Sequence, residues 1–163
     1  MLKKICGFLS TILLIVLFIL AVLLIGPNLL GMKSLAVLSG SMEPKVPVGS
    51  IVYIDDVEPA TLQKDDVITY SIGGGTMVTH RVVEVDTTNQ TIITKGDANE
   101  VQDANPVAFS QVVGKMKMHV PYLGYISIYI RTPLGIAAAC GILIVVVLLT
   151  FLPEVFKKEE EVS

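Results

Sequence analysis

Val67-Ile68-Thr69-Tyr70-Ser71-Ile72, Gly73-Gly74-Gly75 and then Met77-Val78-Thr79-His80-Arg81-Val82-Val83-Glu84-Val85 carry the clearest structural signal in the chain. Both flanks are rich in β-branched and aromatic residues, which pack well on a pleated surface and lose side-chain freedom in a helix. The glycines between them can take the positive φ that a tight hairpin needs. The stretch predicts two antiparallel strands joined by a turn. Beyond this hairpin, Ser50-Ile51-Val52-Tyr53-Ile54 reads as a strand that stops at Asp55-Asp56. Thr91-Ile92-Ile93-Thr94-Lys95 pairs back across Asp86-Thr87-Thr88-Asn89-Gln90, and Val107 to Met118 supplies one or two more strands. No segment between Lys33 and Arg131 shows a convincing 3.6-residue apolar period. The region is expected to be mostly β, a compact antiparallel sheet or barrel.

The ends of the chain differ from this middle. The 163 residues are 52% hydrophobic and only 17% charged, against about 25% charged in an ordinary soluble domain. No charged side chain occurs from Ile5 to Met32 or from Thr132 to Pro153, whereas eleven of the fifteen acidic and eight of the twelve basic residues lie between Lys33 and Arg131. This distribution excludes a disordered chain, a coiled coil, a collagen-like repeat and a basic nucleic-acid-binding protein.

The apolar run Phe8 to Gly26 is long enough to cross a hydrocarbon core of about 30 Å at 1.5 Å per residue. A cleavable secretory signal has a shorter apolar region, with small residues at the cut. Gly26-Pro27-Asn28-Leu29-Leu30 offers no such site, so the run is read as an uncleaved anchor. Lys3 and Lys4 before the first run, and Lys157 and Lys158 after the second (Pro133 to Leu152), place both tails in the cytoplasm by the positive-inside rule. The expected organisation is therefore a cytoplasmic end and anchor over 1–32, an extracytoplasmic β-rich domain over 33–131, a second transmembrane helix over 132–153 and a solvated cytoplasmic tail over 154–163.

The two cysteines, Cys6 and Cys140, sit at or within the apolar runs, so residues 33–131 have neither a disulfide framework nor a thiol nucleophile. That also excludes a cysteine transpeptidase. Two histidines without a His-Glu-x-x-His spacing give no catalytic zinc site, and nothing in the sequence calls for a cofactor.

Three short segments are left as candidates for chemistry. Leu38-Ser39-Gly40-Ser41-Met42-Glu43-Pro44 is a kinked segment: Gly40 allows unusual backbone angles and Pro44 biases Glu43 toward an extended conformation. Such a segment can expose a serine hydroxyl and aim backbone N–H groups at one spot, as a nucleophile and its oxyanion hole require. His80 brings an imidazole, whose unperturbed pKa suits general-base work near neutral pH. His119 competes with it, but lies just before Val120-Pro121-Tyr122 and is assigned a structural place. Lys95-Gly96-Asp97-Ala98-Asn99-Glu100-Val101-Gln102-Asp103 brings two carboxylates, Asp97 and Asp103, to the end of the strand expected beside that of His80. Either could fix the imidazole tautomer.

Ser39-Gly40-Ser41-Met42-Glu43-Pro44, Thr79-His80-Arg81, Lys95-Gly96-Asp97-Ala98-Asn99 with Asp103, and Val120-Pro121-Tyr122-Leu123-Gly124 together resemble the boxes of type I signal peptidases. The likeness is to the endoplasmic-reticulum-type branch of archaea, eukaryotic microsomes and some Gram-positive bacteria (the SipW-like enzymes), and runs from the amino-terminal anchor to the carboxy-terminal span. Its most specific element is Ser-Met-Glu-Pro combined with His where the common bacterial branch has a catalytic Lys. The resemblance implies that Ser41 is the nucleophile, His80 the general base, Asp103 the acidic member of the triad and Asp97 a second aspartate supporting activity. Ser39 falls where the bacterial branch has an oxyanion-hole hydroxyl, beside the backbone of Ser41.

It further implies a compact β catalytic domain against the outer face of the cell membrane. The enzyme would be a serine endopeptidase removing signal peptides from secretory preproteins by acyl-enzyme chemistry, with small residues at −1 and −3 of the cut. Its partners would be those preproteins and the lipid bilayer, with no nucleic acid; a need for accessory subunits is left open. Two other readings compete: a Ser/Lys peptidase with Lys95 as base, and a membrane-tethered β-domain without catalytic activity.

Overall fold

The computed structural model describes the backbone over residues 2–162 and side chains over 4–151. The chain divides into two compact units, one built from the apolar helices and the other from Pro27–Ser127. In the first, α1 spans Leu2–Leu29 and α3 spans Pro133–Val162. Their apolar portions, Lys4–Leu29 and Pro133–Phe151, are 26 and 19 residues long, and only 6% and 11% of their most apolar windows are buried within the protein. The core helix of a soluble protein would be mostly covered. The shorter portion reaches about 28 Å, so each is long and apolar enough to cross a membrane. Thr132 caps α3, its Oγ1 accepting from the Gly135 N–H at 3.0 Å, and Pro133 occupies the first helical position, where a missing N–H costs nothing. α3 runs through Pro153 into the segment read as a separate tail. The side chains of that tail, and of Lys3, lie outside the described residues.

The second unit holds one seven-stranded, wholly antiparallel sheet. Its strands are β1 (Lys33–Ala36), β2 (Ile51–Asp55), β3 (Val67–Gly73), β4 (Thr76–Asp86), β5 (Thr91–Lys95), β6 (Val107–Ala108) and β7 (Val112–Val120), in the spatial order β1-β2-β7-β3-β4-β5-β6. The hairpin expected at Gly73-Gly74-Gly75 is present. All three glycines have positive φ (94°, 60° and 80°), and Gly73 pairs with Thr76 around the two-residue turn. The next turn closes on Asp86, whose carboxylate accepts from the N–H groups of Thr88 and Asn89.

Successive residues of a strand point to opposite faces, and in β3 both faces are covered. Ile68 and Tyr70 join Leu62, Val82, Ile92 and Val107 in one cluster, while Val67 joins Met42, Val46 and Val52 in the other. The second cluster reaches into the 37–50 loop, so the segment carrying Ser41 is pinned from below by its own buried Met42 and Val46.

Three features lie beyond the sequence reading. β1 carries no clear alternation, yet it pairs with β2. A short helix, α2 (Leu123–Tyr129), lies within the stretch read as free of helical periodicity; it is held where the Gly124 N–H donates to the Gly49 carbonyl at 2.8 Å and the Tyr125 ring covers Gly49. Gly40, which can adopt unusual backbone angles, has no positive φ, and the Glu43–Pro44 peptide is cis.

Candidate active site

β3, β4 and β5 are adjacent, and their register aligns Ile68 with His80, Tyr70 with Val78, and Val82 with Thr94. Cross-strand partners share a face, so Tyr70, His80 and Thr94 point to the same side of the sheet. Asp103, in the loop after β5, closes over that side, its N–H donating to the Thr94 carbonyl at 2.9 Å. One oxygen, Asp103 Oδ2, lies 2.6 Å from His80 Nδ1, 2.6 Å from Thr94 Oγ1 and 3.1 Å from Tyr70 Oη. The edge of the Tyr70 ring faces the imidazole, at 6.3 Å between centroids and 72° between planes. Burial alone would raise the Asp103 carboxyl, but the hydrogen bonds from His80, Thr94 and Tyr70, with the nearby imidazole charge, hold it below the usual carboxylate range. An ionised Asp103 only accepts, so Nδ1 of His80 carries the proton and Nε2 is the nitrogen left for the cleft.

That cleft, about 730 Å³, is lined by His80, Ser41, Ser39 and Asn99 among mainly apolar neighbours, including Leu35, Met42, Val52 and Val78. Ser41 Oγ has Ser39 Oγ beside it at 3.4 Å, too long for a strong hydroxyl bond. Among the described residues no hydrogen bond joins Ser41 to His80, although both face the cleft. The N–H groups of Ser41 and Met42 likewise find no acceptor within the chain among the described residues, which leaves them available to a developing negative charge.

Asp97 is not near the histidine's Nδ1. It grips Arg81 with both oxygens, accepting from Nε at 2.7 Å and Nη2 at 2.6 Å, while Arg81 Nη1 donates to the Asp65 carbonyl at 2.7 Å. This fork-to-fork pair is the strong form of an Arg–carboxylate contact. The Arg81 hydrogen bonds are the main reason the Asp97 carboxyl lies below its usual range, against the opposing effect of burial. The pair fixes the loop that supports the serine segment: Ala98 N–H donates to the Ser41 carbonyl at 2.9 Å, and Gly96 sits close beneath it. The two aspartates left as alternatives are thus separated, Asp103 on His80 and Asp97 on Arg81.

Lys95 pairs with Arg81 on the sheet face opposite Thr94 and does not line the cleft. His119 pairs with Val52 from β7 and does not line the cleft either. Sequence reasoning missed Tyr70, Thr94 and the partner role of Arg81. The available signal was the period of two, which places residues 68, 70, 80, 82, 92 and 94 on one face. Among the described residues no group of three or more His, Cys, Asp or Glu could hold a metal ion.

No family model matches the chain. It is 38% identical over 89 residues to signal peptidase I W of Bacillus subtilis, a match covering 53% of this chain and 47% of that protein. It is 37% identical over 106 residues to the signal peptidase complex catalytic subunit SEC11 of Candida tropicalis, covering 58% and 63%, and 30% identical over 103 residues to SEC11C of the dog, covering 56% and 54%. The chain spans less than two thirds of the length of these relatives. Bacterial and eukaryotic relatives alike are named as signal peptidases or their catalytic subunits, and the chain is similar to them over 53–58% of its length.

Proposed function

We propose that the chain is a membrane-bound serine endopeptidase that removes signal peptides from exported preproteins, with Ser41 as nucleophile, His80 as general base and Asp103 as its acidic partner. The observation that carries the reading is the 2.6 Å contact between His80 Nδ1 and Asp103 beside a cleft that Ser41 also lines. An extended preprotein segment enters the cleft, and His80 Nε2 takes the Ser41 proton as Oγ attacks the scissile carbonyl. The N–H groups around Ser41, with the Ser39 hydroxyl, hold the oxyanion. The imidazolium protonates the leaving amine, and Asp103 stabilises that charge. Water then enters, loses its proton to His80, and releases the acyl group from Ser41.

In this reading both helices cross the cell membrane, both tails are cytoplasmic and the sheet is extracytoplasmic. Enzyme and preprotein then share one plane, which raises their effective concentration. Lys95 is disfavoured as base because it does not line the cleft that Ser41 and His80 share. The SEC11 relatives are named as subunits of a complex, so the test uses this 163-residue chain alone in proteoliposomes, with a preprotein whose cut site has small residues at −1 and −3. Ser41→Ala and His80→Ala are expected to abolish cleavage, and Lys95→Ala to retain it. A fully active Ser41→Ala overturns the nucleophile. A dead Lys95→Ala beside an active His80→Ala replaces the base.

A further inference from the structure

We infer that Tyr70 and Thr94 are positioning residues for the proposed reaction, their hydroxyls joining His80 Nδ1–H on the single oxygen Oδ2 of Asp103 to orient the carboxylate and, through it, the imidazole. This rests on the reading of Ser41, His80 and Asp103 given above.

Asp103 needs such support because it lies in a loop between β5 and β6 and not on a strand. Thr94 holds it twice, through its carbonyl to the Asp103 N–H at 2.9 Å and through Oγ1 to Oδ2 at 2.6 Å. Thr94 is wholly buried and Tyr70 is 6% exposed, so water does not readily replace either donor. Each hydroxyl has one proton. The 2.6 Å distance assigns that of Thr94 to Asp103 over the Tyr70 oxygen at 3.4 Å, and the Tyr70 proton goes to Asp103 at 3.1 Å. A protonated Asp103 would turn one acceptor into a donor and orphan a buried partner. The cradle therefore selects the carboxylate, and the carboxylate selects the His80 tautomer with Nε2 unprotonated. Three donors on one oxygen exceed its two lone pairs, so the two 2.6 Å bonds dominate and Tyr70 is secondary.

The groups bearing on the imidazole's charge are Asp103 from the loop, Tyr70 from β3, and, more remotely, Asp97 paired with Arg81 on the opposite face, with Lys45 acting on Asp97. Donors on Asp103 use part of its charge. Removing one leaves Asp103 a stronger acceptor for the imidazolium formed in the proposed reaction. Thr94→Val keeps the shape and removes the hydroxyl. It is expected to lower kcat on the order of 10–100-fold with KM little changed, and to move the acid limb of kcat/KM to higher pH. Tyr70→Phe is expected to lower kcat roughly 3–10-fold with a smaller move in the same direction. Thr94→Ser restores the hydroxyl and should recover most of the rate and the original pH profile.

The assay measures cleavage by the 163-residue chain in proteoliposomes across about pH 5–9, with a thermal melt of each variant. If Ser41→Ala or Asp103→Asn cleaves normally, the reading of the site falls. If those are inactive while Thr94→Val keeps the wild-type rate and acid limb, the cradle alone falls. Should Thr94→Val not accumulate, Tyr70→Phe decides, and an unmoved acid limb there overturns the inference.

Discussion

Gly96→Ala places the smallest side chain against the backbone of the serine segment. A Cβ at Gly96 would lie 2.6 Å from the Ser41 carbonyl oxygen and 2.7 Å from Asn99 Nδ2. The Asn99 amide can swing aside, but the Ser41 carbonyl is backbone and also accepts from Ala98 N–H at 2.9 Å. Real Cβ contacts essentially never fall below 3.0 Å, so the two segments must part by at least 0.4 Å. The Asp97–Arg81 pair anchors the Gly96 side, and the displacement falls on the serine. If a misplacement of about 1 Å costs about 100-fold in rate, the minimum shift costs roughly 5–10-fold and fuller relaxation more, with about 1–3 kcal/mol lost in stability. Gly40→Ala is the control: its Cβ meets only the Glu43 side chain, at 3.5 Å or more, and its φ is not left-handed. The measurement is kcat for preprotein cleavage in proteoliposomes, paired with a melting curve. Gly96→Ala active within twofold of wild type, or Gly40→Ala more damaging when both melt normally, would refute the reasoning.

The Asp97–Arg81 pair should appear in stability against pH. The folded-state pKa of Asp97 is depressed, so its contribution is fully present above the unfolded value, about 3.9, and is lost as pH falls through the lower folded value. Asp97→Asn should cost on the order of 2 kcal/mol near pH 7, and its melting temperature should converge with wild type as the medium is acidified; a gap independent of pH would contradict this. For topology, protease added to right-side-out vesicles should reach residues 33–131 and spare both tails, and a tag after Ser163 that is digested from outside would refute the two-span arrangement.

The strands legible in the sequence are those with a strong local signal. The Gly73-Gly74-Gly75 hairpin and the Thr91–Lys95 return follow from β-branched runs bounded by turn residues, and the structure places them within a residue or two. β1 was not legible because Lys33-Ser34-Leu35-Ala36 has no alternation of its own; its position comes from pairing with β2, buried over Ile51–Ile54. α2 was not legible because seven residues are too few to show a helical period; backbone contact with Gly49 and Ser50 holds it, and a Cβ at Gly124 would meet both their carbonyls. Gly40 drew attention as the neighbour of Ser41, whereas close approach to the serine segment belongs to Gly96, a fact of tertiary contact that no local pattern carries.

The two aspartates show how strand geometry divides a site. In sequence both lie in one loop motif, and either could have met the imidazole. His80 and Arg81 are consecutive on β4 and so point to opposite faces. Asp103 reaches the His80 face beside Thr94, and Asp97 reaches Arg81, which pairs with Lys95 on the other. A dipeptide on one strand thus presents an imidazole and a guanidinium to different carboxylates. Losing Asp103 removes the partner of a charge that forms during the proposed reaction, and should move the acid limb of activity. Losing Asp97 releases the loop whose Ala98 N–H holds the Ser41 carbonyl, and should lower the rate and the melting temperature while leaving that limb nearly in place. Two substitutions six residues apart, both carboxylate to amide, are therefore distinguishable by the pH at which activity is lost, a difference that follows from which face each side chain reaches.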